Sequence, residues 1–511
     1  MKNQAIFVYA HWHSIVICLL VVTVARLLWV RVRHLRSVPG PLFAKFTPLY
    51  RIWTAATGKQ FVIHQKLHDA YGPVVRIGPN HVSVSDAASI TDIYGIASKF
   101  YKSDCYTLFD VPTKSGLTPT VFSVRDNTYH RQLKRPVANA YSMTSLVELE
   151  PMTDVCIKIL EKKFERFQGQ GIDLGEWLHW YAFDVITSIT FSNCMGFMES
   201  EQDISGIIRA IEGRLFYNSI VGQVPALHKF LLGNRFVSRI ANLLPSVRRL
   251  NTTHFIVDFA RTQLSRYQTV GSSSDDLKDM LARFKRSNKD GGQAMTSDEL
   301  LSHATGNILA GSDTTAISLR ATFYHLLKIP RTYIKLLAEI DAAHTRGDLS
   351  DPITFAEANQ LSYLQLCIKE AMRMHPSCGQ LLERVVPAGG MSIASVFLPE
   401  GTVVGINPWV VAQDKDVYGD DVGVFRPERW SEASPAQLRL MERNFLAFGS
   451  GGRTCLGKSI SMLEMTKLVP QILRRFRVEL VAPEKKWELE GFWFVKQSGL
   501  LCRITERGIS S

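Results

Sequence analysis

The 511-residue chain contains no Cys-x-x-Cys pair. Its eight cysteines are scattered at 18, 105, 156, 194, 367, 378, 455 and 502. That spacing excludes a dense disulfide framework and fits a reduced, cytosol-facing compartment. No internal repeat is present, so the chain is not a solenoid. The body also lacks any run of basic residues interleaved with aromatics. The net charge of +12 therefore points to a membrane surface or an acidic protein partner rather than to nucleic acid. With 46% hydrophobic and 21% charged residues, the chain can bury a large core.

Long apolar runs are confined to the N-terminus. Residues 15–30 are apolar apart from Thr23 and Arg26, and residues 5–10 extend the run. A helix over 15–30 alone spans about 24 Å, short of the ~30 Å hydrocarbon core. Counting from Ala5 supplies the missing length. Arg31, Arg33, His34 and Arg36 follow at once, which places the body in the cytosol. A cleaved signal peptide is the competing reading, but its positive n-region would consist of Lys2 alone. The sequence therefore predicts an anchor with a basic stop-transfer over 1–36, a hinge over 37–48 built on Pro39-Gly40-Pro41, and a folded body over 49–511.

Within the body, residues 72–85 alternate around a Gly-Pro-Asn turn and predict a β-hairpin. Residues 128–328 are mostly helical in period, with loops at 272–276 and 287–292. Residues 393–404, 477–481 and 492–504 read as strands. The fold class is mainly α, an α+β domain with small sheets drawn from both ends of the chain.

Residues 444–459 read Asn-Phe-Leu-Ala-Phe-Gly-Ser-Gly-Gly-Arg-Thr-Cys-Leu-Gly-Lys-Ser. Cys455 sits in a glycine-framed loop before an amphipathic segment, 460–476. Backbone N–H groups and a helix N-terminus favour a thiolate there, and Arg453 adds positive charge. The string Gly452 to Ser459 also matches a phosphate loop. Only 52 residues follow it, too few for the parallel sheet of a nucleotide-binding domain, and no later strand ends in a magnesium-holding aspartate.

Thr296-Ser-Asp-Glu299 is a capping box that opens a helix running to Pro330. His303, Asn307, Ala310 or Gly311, Thr314 and Ser318 share one small, polar face of it. Gly311 costs roughly 1 kcal/mol of helix stability relative to alanine, which is easier to explain if something large lies against it. Close packing with hydroxyls bonded to the preceding turn is the alternative. Glu370 and Arg373 lie at i, i+3 on an apolar helix, and a buried pair there needs a second cation, which Arg429 can supply.

Together these motifs resemble the cytochrome P-450 family of haem-thiolate monooxygenases. Phe448-x-x-Gly451-x-Arg453-x-Cys455-x-Gly457 is similar to the family's cysteine-ligand loop. Ala310-Gly311-x-Asp313-Thr314-Thr315 resembles its oxygen-activation segment, and Glu370-x-x-Arg373 with Pro427-Glu-Arg429 resembles its structural lock. The resemblance covers nearly the whole chain and implies the family's mainly helical fold around haem b. By that match Cys455 is the iron ligand, and Asp313 and Thr314 deliver protons on the distal side. Arg453 and Arg384 hold the haem propionates, with His130 and Lys134 standing where many members carry Trp-x-x-x-Arg. Residues 101–104 and 134–142 look like fungal members near pisatin demethylase.

No flavin or nicotinamide domain is appended, so the resemblance implies electrons from NADPH through a separate membrane-bound NADPH–cytochrome reductase, at the endoplasmic reticulum. Docking of that partner is expected near Arg135 and Lys458. The expected substrate is a lipophilic small molecule of fungal secondary metabolism. It would be lined by 106–122, 216–230, the polar stripe, 377–382 and 492–494. A haem-thiolate isomerase or dehydratase needing no O2, and a non-catalytic haem-binding protein, are the rival readings.

Overall fold

The computed structural model describes residue 16 and residues 34–271, 278–287 and 294–508. The expected membrane helix lies almost wholly outside these residues, as do the loops expected at 272–276 and 287–292 apart from Ser287. Among the described residues no helix is long and apolar enough to cross a membrane. The segment expected as a hinge is instead docked on the body. Val38 is fully buried beside Leu35, and the Pro39 carbonyl accepts the Arg76 N–H at 2.7 Å. A Cβ on Gly40 would lie 2.2 Å from the Arg76 carbonyl oxygen, so glycine permits this approach.

From the N-terminus, the elements that frame the site are α1 (Leu49–Ala56), β1 (Val74–Gly78), β2 (His81–Val84), α2 (Ser89–Tyr94) and β3 (Tyr101–Lys102). Helices then dominate: α3 (Asn127–Lys134), α4 (Leu174–Phe191), α5 (Ile207–Val221), α6 (Arg235–Leu243) and the long α7 (Ser297–Lys328). After α8 (Ser362–Met374) come β4 (Arg384–Val385) and β5 (Val403–Ile406). Helix α9 (Lys458–Arg475) and the hairpin β6 (Glu488–Phe492) and β7 (Phe494–Ser498) follow.

Strands from both halves of the chain join in one sheet, ordered β1-β2-β5-β4-β3. The hairpin β1/β2 is antiparallel, and β5 joins β2 in parallel with Val404 opposite Val82. Helix α7 begins at the expected box: Thr296 Oγ1 accepts the Glu299 N–H at 3.2 Å, and the Glu299 carboxylate accepts the Thr296 N–H at 2.8 Å. It ends at Lys328, with Ile329 capping it before Pro330. Helix α4 is buried on nearly every side, as an apolar helix between other helices must be. Its packing along α7 fixes the axis on which the distal residues sit.

Candidate active site

Residues 446–457 leave the core as a tight loop and re-enter as α9. The Cys455 N–H donates to the Phe448 carbonyl at 2.8 Å, and the Thr454 hydroxyl donates to the Gly451 carbonyl at 2.8 Å. Gly451 has φ +60°, and a Cβ there would lie 1.9 Å from the Tyr94 carbonyl oxygen at the end of α2. Only glycine lets the loop seat on α2. Gly457 is not constrained in this way; the nearest atom to a Cβ there is Cys455 Sγ itself, at 4.0 Å.

Cys455 lies deep in the protein, yet its sulfur is accessible because it fronts a cavity. Burial pushes the thiol upward, while the N–H groups of Gly457 and Lys458 and the charges of Lys134 and Lys458 act the other way. Arg453 does not serve the sulfur as expected. Its guanidinium donates to the carbonyls of Val124 at 2.8 Å and Arg125 at 3.0 Å and to Asn127 Oδ1 at 2.8 Å. It thereby ties the cysteine loop to the start of α3.

The cavity holds about 300 Å³ of open volume, at the lower end of the ~300–1,000 Å³ typical of a small-molecule site. Cys455, Phe448 and Gly457 form one wall, and Gly306, Asn307, Ala310, Gly311 and Thr314 of α7 form the other. Thr314 Oγ1 donates to the Ala310 carbonyl at 2.8 Å, and the residue lines the cavity. The Thr314 carbonyl accepts hydroxyls from Ser318 at 3.0 Å and Ser377 at 3.2 Å.

Two distal expectations need correction. The side chain against Gly311 is Ile186 of α4, 2.7 Å from a Cβ built there; the glycine accommodates helix packing as well as fronting the cavity. Asp313 does not line the cavity among the described residues. Its carboxylate meets His179 Nε2 at 2.6 Å, a buried contact between α7 and α4. Burial pushes the His179 pKa down to about 4, with Asp313 pulling it back upward. Nothing in the sequence links two residues so far apart, and His179 was missed for that reason.

The donor set tests the cofactor. Lys102, His130, Lys134, Arg384 and Arg453 all line the cavity, and no carboxylate does so among the described residues. Arg384 is buried and stacks 4.9 Å from the Tyr94 ring. Lys102, absent from the sequence expectations because no motif marks it, is buried between the rings of Tyr106 and Phe122, 4.2 Å from each. Burial, then Arg453, Lys102, Lys134 and Arg384, push His130 down to about 3. Cations buried without counter-charge are costly, and a dianionic ligand relieves that cost. A macrocycle with two propionates and a metal facing Cys455 fits this arrangement. A magnesium nucleotide does not, because no cavity carboxylate is there to hold the metal.

The structural lock is assembled as expected around Glu370, which is fully buried. Its carboxylate accepts from Arg373 Nε at 2.9 Å and Nη2 at 2.8 Å, and from Arg429 Nε at 3.1 Å. Trp430 Nε1 at 2.9 Å and the Arg426 N–H at 3.2 Å complete it, two donors the sequence reading did not include. Of the expected substrate segments, 106–122, 377–382 and 492–494 contribute lining residues. Segment 216–230 does not among the described residues; Phe216 packs instead on Phe492, with ring centroids 4.6 Å apart.

The family model for cytochrome P-450 matches residues 39–503. The chain belongs to the cytochrome P-450 family. The cytochrome P-450 monooxygenase cicH of Emericella nidulans is 39% identical over 485 residues, covering 93% of this chain and 95% of that protein. A cytochrome P-450 monooxygenase of Aspergillus flavus is 37% identical over 496 residues, covering 96% and 95%. Pisatin demethylase of Fusarium vanettenii is 37% identical over 470 residues, covering 90% and 88%. The cytochrome P-450 described here is a haem-thiolate monooxygenase, with the family's predominantly helical fold and small sheets.

Proposed function

We propose that Cys455 holds the haem iron as a thiolate, and that the enzyme oxidises a lipophilic, uncharged small molecule in fungal secondary metabolism. The observation that carries this reading is Cys455 in one cavity with Gly311 and Thr314, beside the basic side chains of Lys102, Lys134, Arg384 and Arg453 and with no carboxylate in the lining among the described residues. Bound haem supplies activation of O2, one oxygen of which enters a substrate C–H bond while the other leaves as water.

The chain's own residues hold and orient. Arg384, Lys102 and Lys134 bind propionates, and neutral His130 donates one N–H. Arg453 contributes mainly by fixing the loop to α3. Gly451 and the Glu370 lock keep Cys455 in place. Thr314 presents a hydroxyl that passes a proton or holds a water at the distal face. Asp313, one residue before it and out of the cavity, acts with His179 as the source of that proton. The apolar rings and aliphatics of the cavity exclude bulk water.

Electrons come from NADPH through a separate reductase that docks on the basic face around exposed Arg135 and Lys458. A membrane places the two proteins together. In support, Leu49 and Trp53 of α1 and Phe236 and Leu243 of α6 are exposed apolar side chains, beyond what scattered surface residues require. The endoplasmic reticulum, with the catalytic body in the cytosol, is the proposed location.

Growth of a host expressing wild type or Cys455→Ala under isotopically labelled dioxygen tests the reading. One labelled oxygen in a wild-type-dependent product is expected. An unlabelled product formed without NADPH would instead establish an isomerase or dehydratase.

A further inference from the structure

One imidazole in the cavity makes no hydrogen bond among the described residues. His303 lies about 16 Å before Thr314 along α7 at 1.5 Å per residue. It lines the cavity and is 7% exposed. Its ring rests against Phe284, with centroids 5.5 Å apart, and it has no hydrogen-bond partner among the described residues. Burial holds its pKa down at about 4, against the upward pull of the Glu299 carboxylate one turn earlier, so it offers one N–H donor and one bare nitrogen.

Its polar neighbours on the helix are already engaged. Asn307 Oδ1 accepts the Tyr141 hydroxyl at 2.6 Å, and Asn307 Nδ2 donates to Thr190 at 3.2 Å. The Ser302 hydroxyl reaches the Pro119 carbonyl at 3.4 Å. The ring is nine-tenths buried, and the space its unbonded nitrogens can reach is the cavity.

The segment that Ser302 touches leads directly to an aromatic wall. Phe122 meets Tyr106 edge-on at 5.3 Å, and Trp493 stands 6.1 Å from each. Phe109 backs the group, 4.5 Å from Trp493 and 5.2 Å from Phe122. Trp493 occupies the turn between β6 and β7 with φ +70°, a strained setting for a bulky residue. The Gly379 N–H holds its carbonyl at 2.9 Å. Strain kept at the tip of a hairpin so that an indole faces the cavity points to a ligand contact. Rings meeting edge to face accept a further aromatic ring on the same terms.

We propose that His303 is a specificity-determining residue that hydrogen-bonds a hydroxyl or carbonyl of an aromatic substrate, whose ring packs against Tyr106, Phe122 and Trp493. This rests on the monooxygenase reading and names the substrate class of the same cavity. The aromatic wall selects a planar ring, and His303 selects its orientation.

The test titrates naphthalene and 2-naphthol into haem-loaded full-length protein, followed by the shift in haem absorption and by calorimetry. The preference for 2-naphthol over naphthalene should fall about five- to tenfold in His303→Leu, the range of one neutral hydrogen bond. It should stay within about twofold of wild type in His303→Gln, which keeps a donor and an acceptor. An equal ratio in all three proteins, or an equal fall in both variants, overturns the proposal. His303→Phe replaces the leucine variant if that protein loses haem. The carbon-monoxide spectrum of each protein separates the two levels. An intact thiolate band with an unchanged ratio overturns the role of His303 alone, whereas a wild type without that band overturns the monooxygenase reading beneath it.

Discussion

His179 Nε2 and Asp313 Oδ1 stand 2.6 Å apart in a buried contact that joins α4 to α7 one residue behind Thr314. The carboxylate expected at the oxygen-binding face is therefore turned toward a neighbouring helix. On the proposed role, a proton passing from Asp313 to Thr314 crosses by side-chain rotation or through water, and His179 sets the carboxylate's resting position. Asp313→Asn should keep the haem spectrum and lower turnover by about 10²–10⁴-fold, the range of one positioned acid. His179→Leu should lower turnover in the same direction and alter its pH profile. Unchanged turnover and pH profile in His179→Leu would reduce the pair to a helix clamp.

Glu370 receives five hydrogen bonds from four residues. Removing its charge leaves Arg373 buried without a counter-charge, while Arg429 keeps Asp421 at 2.6 Å; breaking such a buried pair costs about 3–5 kcal/mol. Glu370→Gln should therefore lower the melting temperature sharply and yield protein with little bound haem. A variant with wild-type stability and haem content would show that the lock does not hold the cysteine loop.

Two adjacent glycines make a sharper comparison. A Cβ at 451 meets backbone at 1.9 Å, whereas a Cβ at 452 meets nothing within 4 Å. Gly451→Ala should abolish haem incorporation, because the clash is with main chain and φ is positive. Gly452→Ala should retain it. Similar haem content in both would mean that the loop is not seated against α2 as described.

These features differ in how far the sequence disclosed them. The capping box, the glycine-framed Cys455 and the Glu370–Arg373 spacing are local patterns, and local patterns survive in one dimension. The β1/β2 hairpin was legible for the same reason. The pairing of β2 with β5, the His179–Asp313 contact and the Lys102 sandwich join residues far apart in the chain, and no periodicity encodes them. The motif singled out Arg453, but a spacing rule could not show that its guanidinium bonds the carbonyls of Val124 and Arg125. Gly311 showed its helix-breaking cost but not that Ile186 is the group it accommodates.

Several buried histidines set the acid limit of the fold. Burial holds His64 and His325 at about 3 and His179 and His375 at about 4, all below the unfolded value near 6.5. Between those limits the unfolded chain binds more protons, so stability rises with pH and is lost as pH falls below about 6.5. Each group contributes a slope of up to about 1.4 kcal/mol per pH unit there. Thermal melts should therefore drop steeply from pH 6.5 to 5 and change little from 7 to 8. A flat melting temperature down to pH 5 would show that these imidazoles are protonated in the fold.

The bond between Cys455 and haem iron underlies the functional reading, and the carbon-monoxide difference spectrum of the reduced protein reports on it directly. Wild type should show the red-shifted Soret band of a thiolate-ligated haem, and Cys455→Ala should lack it. A red-shifted band that persists in Cys455→Ala, or that never forms in haem-loaded wild type, would contradict the assignment.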